Sequence, residues 1–316
     1  MKLQTKVPLK RAANNLISYA SKLFLLGSCF SENIGSKLSY YKFQSNQNPF
    51  GILFHPKAIE NLIARAISNN RYTAEELIFN NERWHCFDAH SSVSSAHKNE
   101  LLMHLNAALT QTRTQLETAT HISITLGTSW VYRHLENNQI VANCHKFPQK
   151  EFSKELLTVA EVSESLAGSI ALIQGLNAKA SITFTVSPVR HLKDGFIENT
   201  RSKAHLIAGI HAVVCPKNNI HYFPSYEIVM DELRDYRFYS EDLLHLNKTA
   251  ITYIWEKFTS TWFSEETQTT MEEVAGIQKG IAHRAFNEDT EQHLQFLKNL
   301  ELKKKMIYQK HPFITF

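Results

Sequence analysis

Lys22-Leu23-Phe24-Leu25-Leu26-Gly27-Ser28-Cys29-Phe30-Ser31-Glu32-Asn33-Ile34-Gly35 is the stretch on which the fold turns. Lys22 to Leu26 is a short run dominated by apolar residues, suited to a strand covered on both faces. Gly27 and Ser28 interrupt it with residues that favour turns and helix caps. From Ser31 to Tyr41 the pattern changes to a helical period, with Ile34, Leu38 and Tyr41 on one face. The reading is strand, tight turn, helix, with Cys29 held on the turn.

Outward from this unit the same two periods alternate. His121 to Leu126 (HISITL) and Ser181 to Val186 (SITFTV) are β-branched and bounded by loop residues, so they read as strands. Ala58 to Ser68, Glu100 to Glu117 and Ser163 to Leu176 read as helices between them. Alternating strands and helices predict an α/β fold: a three-layer α/β/α sandwich around a mainly parallel sheet. Ligands of such sheets bind at the carboxyl ends of the strands. The loops to watch are therefore Gly27 to Phe30, Gly127 to Tyr132 and Ser187 to Lys193. The simplest division is a catalytic domain over 1–262 and a charged helical extension over 263–316.

Composition narrows the function classes. The chain has 316 residues, 43% hydrophobic and 20% charged, enough for a sizeable core and against disorder as the default. A net charge of +4 with scattered Lys and Arg, clustered only at Lys303, Lys304 and Lys305, gives no nucleic-acid footprint. The start MKLQTKVPLKRAANN lacks a signal peptide's apolar core, and no run of about 18 apolar residues suggests a membrane span, so a cytoplasmic location is expected. The four cysteines, Cys29, Cys86, Cys144 and Cys215, form no Cys-x-x-Cys pair and are expected as free thiols in a reducing compartment.

Two local patterns carry chemistry. A side chain on the turn at Cys29 is held out of the sheet, where backbone N–H groups at the helix start can face an oxyanion or stabilise a thiolate. Alternatively, Cys29 is a small buried hydrophobe and Ser28 or Ser31 an N-cap. Downstream, Asp242-Leu243-Leu244-His245 spaces two ionisable residues at i and i+3. If this segment begins a helix, both share a face, and Asp242 orients His245 for proton transfer. A plain surface helix start with an acidic first turn fits the same string.

Together these segments resemble a known group. LFLLGSCFSENIG resembles block I of the SGNH/GDSL hydrolase-like superfamily, and DLLHLN resembles its Asp-x-x-His block V. More narrowly, the chain resembles the GSCFA-domain proteins, through Gly-Ser-Cys-Phe-Ser, NPFG at 48–51, WHCFDAHSS at 84–92, TLGTSWVY at 125–132 and SPVRHLKDGFIENTRSKAHL at 187–206. The resemblance covers roughly the first 260 residues.

It implies an SGNH/flavodoxin-like sheet and an esterase or O-acyltransferase. Laying Gly-Asp-Ser over Gly27-Ser28-Cys29 puts Cys29 at the nucleophile position, with Ser28 as runner-up. His245 would be the base and Asp242 its orienting acid, with Cys29 sulfur within about 4 Å of a ring nitrogen. The Cys29 thiolate would be populated at lower pH than those of the other cysteines. Oxyanion donors implied are the Cys29 N–H, Gly51 and Ser129, which stands where the superfamily has Asn; Asn48 or Asn143 can supply the missing amide. Gly127, Asn143, Asn48, Arg190 and His191 are the substrate-binding candidates.

A thiol nucleophile forms a thioester acyl-enzyme, which suits acyl transfer as well as hydrolysis. The substrate implied by related cell-envelope pathways is an O-acylated or hydroxyl-bearing carbohydrate or a small acyl compound, with an acyl-CoA as a potential donor. No cofactor is expected. His85, Cys86 and His90, and Cys144 with His145, lack recognised zinc-ligand spacing, so no metal is expected either. The competing class is an inactive SGNH-like domain that binds a ligand or partner; the missing Asn favours it, whereas Cys29, Asp242 and His245 favour an enzyme. Oligomeric state, acyl donor and acceptor are not legible.

Overall fold

The computed structural model describes residues 4–316. In chain order its strands are β1 (Lys22–Gly27), β2 (Gln44–Gln47), β3 (Leu77–Asn80), β4 (Arg83–Cys86), β5 (His121–Leu126), β6 (Trp130–His134), β7 (Gln139–Val141), β8 (Phe152–Leu156), β9 (Ser181–Val186) and β10 (Ile220–Tyr222). Its α-helices are α1 (Cys29–Tyr40), α2 (Pro56–Ser68), α3 (Lys98–Thr118), α4 (Val159–Leu176), α5 (Phe196–Val213), the single turn α6 (Ser225–Glu227), α7 (Lys248–Trp262), α8 (Glu265–Ala282) and α9 (Glu291–Lys310).

Five strands form one parallel sheet in the order β10-β9-β5-β1-β2. From β1 the chain passes to β2 on one side and later returns to β5 on the other. The strand order therefore reverses at β1, and the crevice beyond the carboxyl ends of β1 and β5 is where such sheets bind ligands.

Each strand feeds both faces because successive side chains alternate. Phe24 and Leu26 join a core with residues of α2, α3, α4 and α5, while Leu23 and Leu25 join a second core with α1, α7, α8 and α9. The three-layer α/β/α expectation is met by this arrangement. On α1 the buried Phe30, Ile34 and Leu38 fix the helix against the second core. At roughly 1.5–3 kcal/mol for each side chain fully buried, they outweigh the weak helix preference of a segment holding three serines and a glycine.

One feature departs from the sequence reading. The segment after β5 is a loop only as far as Ser129; Trp130 begins β6, which pairs antiparallel with β7 and β8 in a separate sheet. The C-terminal region is helical as expected, and Met271, Val274, Ile277, Leu300 and Ile307 of α8 and α9 lie in the same buried cluster as Ile34 and Leu38 of α1. Among the described residues no helix is long and apolar enough to cross a membrane.

Candidate active site

The turn after β1 is built around Gly27. Its φ is +134°, and a Cβ there would lie 2.1 Å from the Thr125 carbonyl oxygen of the neighbouring strand, so only glycine fits. Ser28 follows as the N-cap of α1: its Oγ accepts the Phe30 N–H at 3.3 Å, and its own N–H donates to Thr125 O at 3.1 Å. Ser28 is therefore buried and its hydroxyl caps the helix. Cys29 is the first helical residue and is partly exposed.

Burial and Glu32 push the Cys29 thiol above its ordinary value, while Lys203 and the N–H groups of Cys29 and Phe30 offset part of the rise. The cause is that desolvation outweighs the helix N-terminus here. The other shifted thiols rise too, Cys144 to about 11 and Cys86 to about 12, each from burial.

Beside the turn lies Asn48-Pro49-Phe50-Gly51. The Asn48 N–H donates to Leu25 O at 3.0 Å, and its Oδ1 accepts the Gly27 N–H at 2.9 Å. The Asn48 Nδ2 is buried without a partner among the described residues. Gly51 donates its N–H to Asn48 O at 2.8 Å, so that N–H is spent. Ser129 is also spent: it is fully buried, its N–H donates to Ser202 Oγ at 2.8 Å and its hydroxyl to Ser202 O at 3.1 Å. The N–H groups of Gly51 and Ser129 are thus engaged within the fold, whereas Asn48 Nδ2, beside the Gly27 turn, has no partner among the described residues. The Asn143 Oδ1 accepts from the Ser91 hydroxyl and the His145 N–H, fixing a loop farther out.

Asp242-Leu243-Leu244-His245 begins no helix. It is a turn before α7 with Leu243 at φ +58°, and Asn247 caps the helix. One carboxylate oxygen of Asp242 accepts the N–H groups of Leu244 and His245, both at 2.9 Å. The other meets His245 Nδ1 at 2.6 Å. The bond from His245 and these two N–H groups hold the Asp242 carboxyl down at about 2. With Nδ1 bonded to the carboxylate, Nε2 is left to take a proton. The His245 side chain is 55% exposed, and no hydrogen bond joins it to Cys29.

Three loops nevertheless meet at the carboxyl edge of the sheet. Arg190 donates to the Tyr239 hydroxyl at 2.8 Å and lies over its ring, tying the loop after β9 to the turn that carries His245. His191, depressed to about 4 chiefly by burial, also senses the charges of Lys203 and His245. The Gly127 position abuts His191 Nε2 and Phe54. Next to these residues opens a cavity of about 710 Å³, with Trp130, Tyr132, Asn143, Arg190, His191 and Leu244 in its wall.

Lys203 on α5 was not foreseen as a site residue. It is 1% exposed, and its Nζ donates to Gly127 O at 2.5 Å and Ser187 O at 2.7 Å, the carbonyls just past the ends of β5 and β9. Burial lowers it to about 7, an effect partly opposed by Cys29. The signal was present in the pattern: Asn199, Ser202, Lys203, Leu206 and Ile210 form one buried helical face, and a lysine on that face is out of place.

The rings of His85 and His145 lie 4.6 Å apart between centroids, tilted by 31°, but no group of three or more His, Cys, Asp or Glu suited to a metal occurs among the described residues.

The model of the GSCFA family matches residues 22–258, and that of the GSCFA domain protein C-terminal domain matches residues 274–316. No curated protein matches the chain.

Proposed function

The chain belongs to the GSCFA family, and on that premise we propose that it is an SGNH-like esterase or O-acyltransferase with Cys29 as nucleophile and His245, oriented by Asp242, as base. The observation that carries this reading is the Asp242–His245 pair at 2.6 Å, which leaves Nε2 free to accept a proton, in a chain that also holds a partly exposed cysteine at the N-terminus of the helix after β1. A carboxylate holding Nδ1 is the arrangement by which an imidazole is kept ready as a base.

In the proposed cycle, His245 Nε2 takes the thiol proton as Cys29 Sγ bonds to the acyl carbonyl carbon. The oxyanion that forms faces the Cys29 N–H and Asn48 Nδ2. Collapse breaks the bond to the leaving oxygen or sulfur, which departs with the proton from His245, and a thioester on Cys29 remains. A water or a substrate hydroxyl then gives its proton to His245 and attacks the thioester, releasing acid or ester and restoring the thiol. Because burial raises the thiol, removing its proton is a larger share of the barrier, and the base carries correspondingly more of the catalysis.

The cavity wall of Trp130 and Tyr132 with the polar Asn143 and Arg190 suits an acyl-bearing or hydroxyl-bearing carbohydrate. An acyl-CoA is the donor class to test first. Four free cysteines suit a cytoplasmic setting. The test is intact-protein mass spectrometry with peptide mapping after exposure to acetyl-CoA and simple acyl esters. An acyl mass on Cys29, absent in Cys29→Ala, is expected. The exposure of His245 and its missing bond to Cys29 favour a second reading, a ligand-binding domain without turnover. No adduct from any donor, together with saturable binding of a donor, would establish that one instead.

A further inference from the structure

Around Cys29 the charged groups differ in sign and in burial. Glu32, on the same helix, opposes the thiolate, and His90 senses Glu32. Arg190 and His191 come from the loop after β9, and Arg190 acts on Lys203 while His191 senses both Lys203 and His245. His245 and Asp242 stand about half in solvent, where water screens them. Among the described residues Lys203 is the lysine or arginine taken fully out of water, and it sits on the carbonyls that follow β5 and β9.

A buried ammonium without an anion is costly, and an apolar side chain of similar length would fill the space at less cost. Lys203 has no carboxylate ion-pair partner among the described residues. Two of its three donors are directed at Gly127 O and Ser187 O. These carbonyls follow β5 and β9, and β5 lies directly beside β1, whose end carries Cys29. The acid that favours its charge is Cys29. We propose that Lys203 is a positioning residue, whose buried ammonium clamps the ends of β5 and β9 and supplies the counter-charge to the Cys29 thiolate. This rests on Cys29 being the nucleophile proposed above. In this arrangement the Cys29 thiolate favours the charged form of Lys203, and His245 remains the group that exchanges protons with the substrate.

The test is the pH profile of Cys29 alkylation by iodoacetamide in the full chain, read by peptide mapping, with Cys144 as internal control. Lys203→Met removes the charge and keeps the length. Its Cys29 midpoint should move up by about one pH unit or more, roughly a tenfold slower alkylation near neutrality, while Cys144 is unchanged. Coincident profiles in a variant that folds by circular dichroism would overturn the proposal. If Lys203→Met does not fold, the reciprocal measurement decides: in Cys29→Ala the Lys203 side-chain resonance, followed by NMR in isotope-labelled protein, should titrate at lower pH than in wild type. An unchanged midpoint there would overturn it equally. An acyl adduct on Cys29 with coincident profiles defeats this inference alone, whereas shifted profiles with no adduct from any donor defeat the enzymatic reading alone.

Discussion

Replacing Asp242 by Asn should reverse the tautomer of His245 and remove most of its use as a base. The geometry decides which way the new amide turns. In wild type, one oxygen of Asp242 accepts two backbone N–H groups, from Leu244 and His245, and the other accepts from His245 Nδ1 at 2.6 Å. An asparagine has one oxygen. Two fixed backbone donors hold it better than one ring nitrogen, so the NH2 group is left facing Nδ1 and donates to it. Nδ1 then carries the lone pair, the proton moves to Nε2, and the nitrogen facing the crevice can no longer accept. General-base assistance contributes about 10²- to 10⁴-fold, and the 55% exposure of the His245 side chain, where water competes for both nitrogens, places the expected loss of Cys29 acylation near the lower end, about 10²-fold. The assay has two arms: long-range ¹H–¹⁵N correlation of the ring at mildly alkaline pH to assign the tautomer, and the rate of adduct formation on Cys29. A ring still protonated at Nδ1 in Asp242→Asn, or acylation at the wild-type rate, would refute the reasoning.

Other outcomes follow from the same contacts. Asn48→Asp keeps the oxygen that accepts the Gly27 N–H but loses the free Nδ2, so folding should persist while acylation falls about 10²-fold or more; equal rates would return the oxyanion role to another donor. Gly27→Ala places a methyl 2.1 Å from Thr125 O at a positive φ and should cost about 3 kcal/mol or more in urea unfolding, against a prediction of no change if the turn could relax. Because burial lowers Lys203 from 10.5 to about 7, the unfolded chain binds more protons between those values, so this residue makes stability rise with pH from 7 to 10.5, with its full cost present below 7. Urea midpoints across that range should rise less in Lys203→Met than in wild type, and parallel curves would contradict the depression of Lys203 by burial.

What the sequence made legible follows the hydrophobic period. KLFLL, HISITL and SITFTV sit in the central sheet because apolar runs of that length have no other stable place to go, and the helices between them start within a few residues of where the period begins. The antiparallel sheet of β6, β7 and β8 escaped because TSWVYRH mixes polar and aromatic residues with no clear alternation. The Asp242 turn was misread because its left-handed residue is Leu243, where glycine or asparagine would have marked it. Ser129 and Gly51 looked available because their partners, Ser202 and Asn48, are set by tertiary packing or by a turn that no local pattern spells out. Lys203 was hidden by the usual rule that lysines face water, although its place on an otherwise buried stripe was readable.

That stripe explains why the crevice is organised on one side and open on the other. Asn199 accepts the His191 N–H, Ser202 holds Thr128 and Ser129, and Lys203 holds Gly127 and Ser187. A single helix thus fixes the loops after β5 and β9 through buried polar contacts, each of which would leave an unsatisfied group costing about 1–3 kcal/mol if broken. The turn bearing Asp242 and His245 has no such anchor from α5. It is joined to the crevice through Arg190 and Tyr239, and both of its ionisable side chains stand about half in solvent. The loops after β5 and β9 are therefore fixed by buried polar contacts, whereas the turn bearing Asp242 and His245 is held by its own backbone bonds and by Arg190 through Tyr239.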